Sequence, residues 1–323
     1  MKETVSQQQI KKKLTILGQI AYIKKLGVKF IDFPEEKAKN FLSSHTYFFK
    51  IKAYAKCFSK YKKTTHPMFG KYVNLDFNQL VELSRIDMAF RDAILHLTLD
   101  IEHSIRVELN TKISDSPIDD GYKNTKIFLT DNKDVKYKIK SILKHGETNP
   151  YTYDMIRKYK DSFAVWNLME ILSFGDLIRL YNFYKEILGL NEKVCSLLLY
   201  VKFARNAAAH ANFMLNQLSG ELRISPAKTL TSLYSLKIKK LSPSIKGNLS
   251  IPAIHDFTAC IFVFQMTVKN RNAYDRGTES LKKLKAIIRQ KRNLFVNELN
   301  ITSGFDFIYE IIEFFCQRPA KFT

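Results

Sequence analysis

Apolar positions recur at helical spacing along most of the chain. Phe90, Ile94, Leu97, Ile101 and Ile105 step by four, three, four and four residues, one stripe at 3.6 residues per turn. That stripe predicts a long helix from about Phe77 to Ile113, on which Glu102 and Arg106 form an i,i+4 pair. Shorter helical patterns follow at Tyr151 to Tyr159, Phe163 to Leu172 and Asp176 to Leu188, with Ser173 and Gly175 between the last two. A further helix is expected from Asn191 to about Leu218, closed by Gly220, with Val194, Leu197, Val201, Ala208 and Leu215 facing inward. Ile254 to Met266, Thr278 to Leu299 and Phe305 to Phe315 complete the helical candidates. Two stretches break the rhythm. Ser114 to Asn149 is polar, carries Pro117 and Gly121, and reads as a long connection or irregular insertion. Arg223 to Leu249, with Pro226, Pro243 and Gly247, reads as a basic, mostly irregular connector. Short strands near Val28 to Ile31 or Leu222 to Ile224 would not alter the expectation of an all-α protein.

Composition narrows this further. Hydrophobic residues make up 46% of 323, enough for a real core, and the length suggests roughly two domains or one with extensions. Eleven Gly and eight Pro are too few for a chain of tight hairpins. Fifty-two Lys+Arg against 31 Asp+Glu leave a net charge of +21, which favours a polyanionic partner, nucleic acid or an anionic membrane surface. Cys57, Cys195, Cys260 and Cys316 lie 56 to 138 residues apart; that spacing forms no zinc ribbon or finger and suits a reducing cytosol. Lys11-Lys12-Lys13 before the run Leu14 to Ile23 imitates a signal peptide. Thr15, Gln19, Lys24-Lys25 and the missing small-residue cleavage site favour a buried helix instead. A cytoplasmic protein without stable membrane association is the expectation.

For chemistry, GxxxxGK[ST], GxGxxG, HExxH and GxSxG are all missing, so nucleotide cradles and the commonest hydrolase sites have no support. No metal or cofactor is expected. Arg205-Asn206-Ala207-Ala208-Ala209-His210 stands out. Histidine exchanges a proton near neutral pH and Arg holds a phosphate or a developing phosphorane. Together they could cleave RNA without a metal, through attack of the ribose 2′-OH on the adjacent phosphorus. Asn206 and His210 share a helix face, but Arg205 lies about 140° from His210 on a regular helix. Two copies facing across a twofold axis would converge them, and Ala207, Ala208, Ala209 and Ala211 leave room for another backbone or an RNA strand. With 7 His in the chain, chance alone supplies about one R-x4-6-H pair. A second match, Arg91 to His96, exists, with Asp87 placed one turn before Arg91 as an ion-pair partner. Either motif could be structural.

Three segments carry a family resemblance. "LSSHTYFFKIKAYAKCF" (Leu42 to Phe58) is similar to a helix with Asn-Tyr-Tyr-Arg; Arg85 to Arg91, continuing to "DIEHSIRVELNTKIS", resembles a long helix with "FD…LR…IE…R". "FAVWNLMEILSFGDLIRLY" (Phe163 to Tyr181) and "RNAAAHANFMLN" resemble the blocks "P-V-W-x-L-x-E-x-x-S-F-G-x-L" and "RNxxAHxNRLFN". From about Ile20 to Asn216 the chain resembles the Abi-like (AbiD/AbiF) abortive-infection family, a branch of the HEPN superfamily of ribonucleases. The resemblance implies an all-α, HEPN-type helical bundle, here with N-terminal and C-terminal helical extensions. The chain is expected to divide into a basic, aromatic, helical segment 1–75, a HEPN-like core 76–220 with a basic insertion 114–149, and a basic helical region 221–323. The resemblance implies a metal-independent endoribonuclease, working as a homodimer in phage defence or as a toxin, with a small structured regulatory RNA as partner. Arg205 and His210 would be catalytic, with Asn206 the customary polar residue after the Arg. Asn212 and Asn216 match family positions, and Phe213 stands where the family carries an Arg.

Lysines suggest where RNA would lie. Lys50, Lys52, Lys56 and Lys60 interleave with Tyr47, Phe48, Phe49, Tyr54, Phe58 and Tyr61, the mixture of phosphate neutralisation and base stacking used for single strands. Its alternative is an amphipathic helix with core aromatics and solvated lysines. Lys136, Lys138 and Lys140 in the insertion suit a solvent-facing RNA arm. Lys282, Lys285 and Arg289 sit on a basic amphipathic helix that could instead be a solvated domain face or lie on a membrane. A non-catalytic RNA-binding protein that grips phosphate with Arg205 and His210 is the rival reading.

Overall fold

The computed structural model describes residues 13–145, 150–160 and 162–317. Its organising element is the long helix that the 90–105 stripe predicts. Asp76 and Gln79 form a capping box, each side chain bonding the other's backbone N–H, and the helix runs unbroken as α4 (Phe77–Ser114). Before it come α1 (Ile16–Lys25), α2 (Glu35–Ser44) and α3 (Phe48–Ala55). Within the Leu14 to Ile23 run, Ile16 to Ile23 are thus helical, with Ile20 and Ile23 buried.

Both stretches expected to be irregular contain helices, residues 146–149 of the first lying outside the described residues. The 114–149 insertion contains α5 (Lys123–Asp131) and α6 (Lys133–Lys144). Val135, Ile139, Ile142 and Leu143 in α6 follow the i, i+4, i+7, i+8 rule, and all four pack against the core; the surrounding lysines mask this stripe when composition is read first. Residues 223–249 contain α12 (Lys228–Lys237) and α13 (Pro243–Leu249), which bury Leu230, Leu233, Tyr234, Ile245 and Leu249.

Between lie α7 (Pro150–Tyr159), α8 (Val165–Ile171), α9 (Phe174–Phe183), the single turn α10 (Lys185–Leu188) and α11 (Glu192–Ala209). After α13 come α14 (Pro252–Thr267), α15 (Arg271–Lys291) and α16 (Leu299–Gln317). Among the described residues there is no strand, only two isolated bridges, Lys29 to Asp76 and Lys60 to Tyr72. The fold is all-α.

The core is one connected cluster that draws on the N-terminal helices, α4, α11 and the C-terminal helices alike. α14 is buried all round, with Phe257, Cys260, Phe262 and Phe264 at or near 0% exposure, and packs on α11, α4 and α16. Helix α15 lies along α4 because Gly277 has no side chain: a Cβ there would stand 2.5 Å from Phe264 Cζ and 3.2 Å from Leu97 Cδ2. Among the described residues no single helix is long and apolar enough to cross a membrane.

Candidate functional site

The R-N-x3-H motif occupies the C-terminal end of α11. Asn191 caps its start by accepting from the Lys193 N–H at 3.0 Å. Val194, Leu197, Val201 and Ala208 then face inward, as the spacing predicts. The helix stops at Ala209, earlier than expected, and residues 214–219 form a separate 3₁₀ helix. The stop is a Schellman motif: Asn212 N–H donates to Ala207 O at 2.9 Å and Ala211 N–H to Ala208 O at 3.0 Å. Its left-handed residue is Ala211, at φ 53°, where glycine is the unstrained choice. A strained, non-glycine turn therefore follows His210 directly.

His210 is the C-cap, exposed, and its ring makes no hydrogen bond among the described residues. Arg205 is half-buried and donates through Nη1 to Asn206 Oδ1 at 3.2 Å, so Asn206 engages the guanidinium rather than the imidazole. Ala208 is buried in the protomer while Ala209 and Ala211 are exposed, so only part of the alanine run offers room to a visitor. Leu199 and Phe203, 46% and 49% exposed, continue through Asn206 to His210 in steps of four, three and four. They form one solvent-facing stripe.

Beneath the turn is a buried pedestal that motif spacing does not reveal. Lys50 Nζ donates to Ala211 O at 3.2 Å. Asp87, fully buried, accepts from Leu215 N–H at 2.8 Å, Tyr54 Oη at 2.6 Å and Arg91 Nε at 3.2 Å. The Asp87–Arg91 pair expected from the sequence thus carries the chain that leaves the motif. Burial pushes the Asp87 carboxyl upward, against the pull of the Tyr54 hydroxyl, the Leu215 amide and Arg91. Burial likewise drives the Tyr54 hydroxyl far above the usual phenol range, with Asp87 adding to it. It also lifts the Cys57 thiol to about 12. Both groups stay protonated donors and neither is a nucleophile.

The second R-x4-H pair does not converge. Arg91 points to Asp87, whereas His96 is exposed and its Nδ1 lies 2.8 Å from the Asp92 carbonyl. His96 lines an open groove between α4 and α15 with Asp92, Asp275 and Arg276.

The block from Phe163 to Tyr181 is a docking device. Ser173 caps α9 by accepting from Asp176 N–H at 3.2 Å, and its hydroxyl donates to Asp176 Oδ2 at 2.7 Å. Gly175 lets Lys202 of α11 lie across α9, for a Cβ would meet Lys202 Cε and Nζ at 3.2 Å. Trp166 packs edge-on against Tyr122.

The lysines divide. Lys50 is a correction: at 8% exposure its ammonium is held beneath the Ala211 turn and cannot meet an RNA backbone in solvent. Burial and the Arg91 charge push its pKa down. Lys52 reaches the Tyr22 hydroxyl at 3.4 Å and its ring face, while Lys56 is exposed and Lys60 lies over Tyr72. Lys138 is paired with Asp176 at 2.8 Å and Lys285 with Glu313, so neither is a free cation. Lys136 and Lys140 line one cleft of about 710 Å³ with Lys123, Lys126 and Lys160. Asp120, the acid on that cleft, accepts the Tyr122 and Lys123 N–H groups at 2.8 Å, both through Oδ1. Lys282 and Arg289 are exposed on α15. Among the described residues no group of three His, Cys, Asp or Glu could hold a metal ion.

A family model of Abi-like proteins matches residues 40–216, a span that includes the pedestal, the docking block and the whole R-N-x3-H turn. It covers more than half of the chain, and the chain belongs to the Abi-like family. No curated protein and no solved structure matches it.

Proposed function

We propose that the protein is a metal-independent endoribonuclease of HEPN type, acting in abortive infection or as a toxin in the cytoplasm. The observation that carries this reading is the motif's setting: an exposed, unengaged His210 at a strained helix end, one turn from a partly shielded Arg205, inside the family-matched span. His210 takes the proton of a ribose 2′-OH as O2′ bonds to phosphorus. Arg205 offsets the negative charge that gathers on the phosphoryl oxygens. The bond from phosphorus to O5′ then breaks, O5′ is protonated by the imidazolium, and 2′,3′-cyclic phosphate and 5′-OH ends remain.

Arg205 and His210 are not bonded to each other within one protomer, so a homodimer is part of the proposal. The Leu199–Phe203–Asn206–His210 stripe supplies the surface, and twofold closure would bring both copies of each side chain into one cleft. The lysine cleft beside α6 supports RNA as the partner. Five cations face it against one acid, a net positive field suited to a structured regulatory RNA. The rival, an RNA binder that only grips phosphate, draws on the Arg205–Asn206 bond.

Incubation of the purified protein with RNA in EDTA tests the reading. Cyclic phosphate ends are expected, together with a dimer in sedimentation that Leu199→Asp converts to an inactive monomer. RNA that is bound but never cut by the wild type would leave only the binder.

A further inference from the structure

Beside the Schellman turn lies a second concavity, of about 510 Å³, where the loop after His210 meets the start of α14. Phe203 and Phe213 supply aromatic walls, and Asn212, Asn216, Gln217 and Asp256 supply its polar groups. Their hydrogen-bonding state is specific. His255 accepts the Ala227 N–H on Nε2 at 3.1 Å, so its proton sits on Nδ1 and is donated to Asp256 Oδ1 at 2.9 Å. One carboxylate oxygen is thereby fixed, and Oδ2 has no hydrogen bond among the described residues. Gln217 Oε1 accepts the Ala253 N–H at 3.0 Å, and its two amide hydrogens are unspent among the described residues. The side-chain amides of Asn212 and Asn216 are also without hydrogen bonds among the described residues.

A carboxylate here is anomalous. The chain carries a net charge of +21, and the neighbouring motif suits phosphate, yet this pocket would repel one. It wants a flat neutral group with N–H donors at one edge and an acceptor nearby. Among nucleobases, guanine alone presents adjacent N1–H and N2–H₂ donors, which suit a carboxylate, with O6 next to them for an amide N–H. Uracil offers a single N–H between two acceptors; adenine and cytosine place a ring lone pair beside the amino group, which a carboxylate oxygen would oppose. Unstacked bases are read in this way, by edge hydrogen bonds between aromatic walls.

We infer that the Phe203–Phe213–Asp256 pocket is a guanine-reading subsite that sets where the neighbouring motif cuts RNA. The role assigned at the cut rests on the ribonuclease reading; the base preference does not.

The test uses the full-length His210→Ala protein and five-nucleotide RNAs of sequence UUNUU, read by fluorescence anisotropy. UUGUU should bind ~10–100-fold more tightly than the other three, the discrimination of a good bidentate contact. Adding Asp256→Asn should abolish that preference and shift it towards adenine and cytosine, whose amino group beside a ring acceptor matches an amide. A merely structural Asp256 would not produce such a switch. Asn216→Ala should weaken UUGUU alone and serves if Asp256→Asn fails to fold, as judged by its melting curve. Equal affinity for all four RNAs overturns the inference. So does wild-type cleavage without base preference, which leaves the ribonuclease reading intact. A guanine preference without cleavage of any RNA sinks that reading and keeps the pocket.

Discussion

Arg205–His210 and Arg91–His96 share one spacing and almost nothing else. The first pair sits where a helix ends: His210 is exposed without a ring partner among the described residues, and the chain turns through a left-handed Ala211 immediately after it. The second lies inside a 38-residue helix, where Arg91 is drawn inward by a buried Asp87 and His96 is tied to its own backbone one turn back. The comparison teaches that a motif of two residues acquires meaning from what already claims each side chain. It also shows that the two are joined. Asp87, the acid that silences Arg91, holds Leu215 and so positions the loop that follows His210.

The largest separation should appear in cleavage. His210→Ala is expected to lose ~10²–10⁴-fold in RNA cleavage and Arg205→Ala ~10²–10³-fold, both folded and both still binding RNA in gel shifts. His96→Ala should change neither rate nor melting temperature; if it silences the protein while His210→Ala does not, the two motifs have been assigned the wrong way round.

Asp87→Ala should cost about 3–5 kcal/mol in urea unfolding, because it strands Arg91 and several buried donors. Cleavage should fall with it, since the 211–216 loop loses its anchor. Stability equal to wild type would show that the pedestal does not bear on the site.

Ala211→Gly is a finer probe of the turn. Relief of the left-handed conformation, less the entropy glycine adds to the unfolded chain, should stabilise by about 0.5 kcal/mol. A loss of stability in thermal melts would mean that the Ala211 methyl makes contacts that outweigh the strain.

The smallest effect lies away from both motifs. The guanidinium of Arg179, bonded to Asp134 at 2.6 and 3.1 Å, holds that carboxyl down at about 2. A depressed acid stabilises the fold above its unfolded pKa of about 4 and loses that contribution as pH falls through about 2. Asp134→Asn should slightly flatten the decline of melting temperature between pH 5 and pH 2, and an unchanged profile would assign the pair no role in stability.

The sequence by itself determined the helices whose apolar stripes stand clear of other signals, α4 and the inward face of α11 above all. It also determined the Asp87–Arg91 pair and the R-N-x3-H motif, because these depend on local spacing and side-chain type. It hid α5, α6, α12 and α13, which lie in stretches marked by polar and basic residues, prolines and glycines, although Val135, Ile139, Leu230 and Leu233 keep helical register. Tertiary structure alone decided which lysines are free: Lys50, Lys138 and Lys285 look the same in sequence as Lys136 and Lys140, but burial or a distant acid claims them. It alone brought Asp256 on α14 beside Asn212 and Phe213, and Tyr54 on α3 against Asp87. Such meetings depend on which faces must be removed from water together, and no local pattern in one chain segment records the partner that another segment will supply.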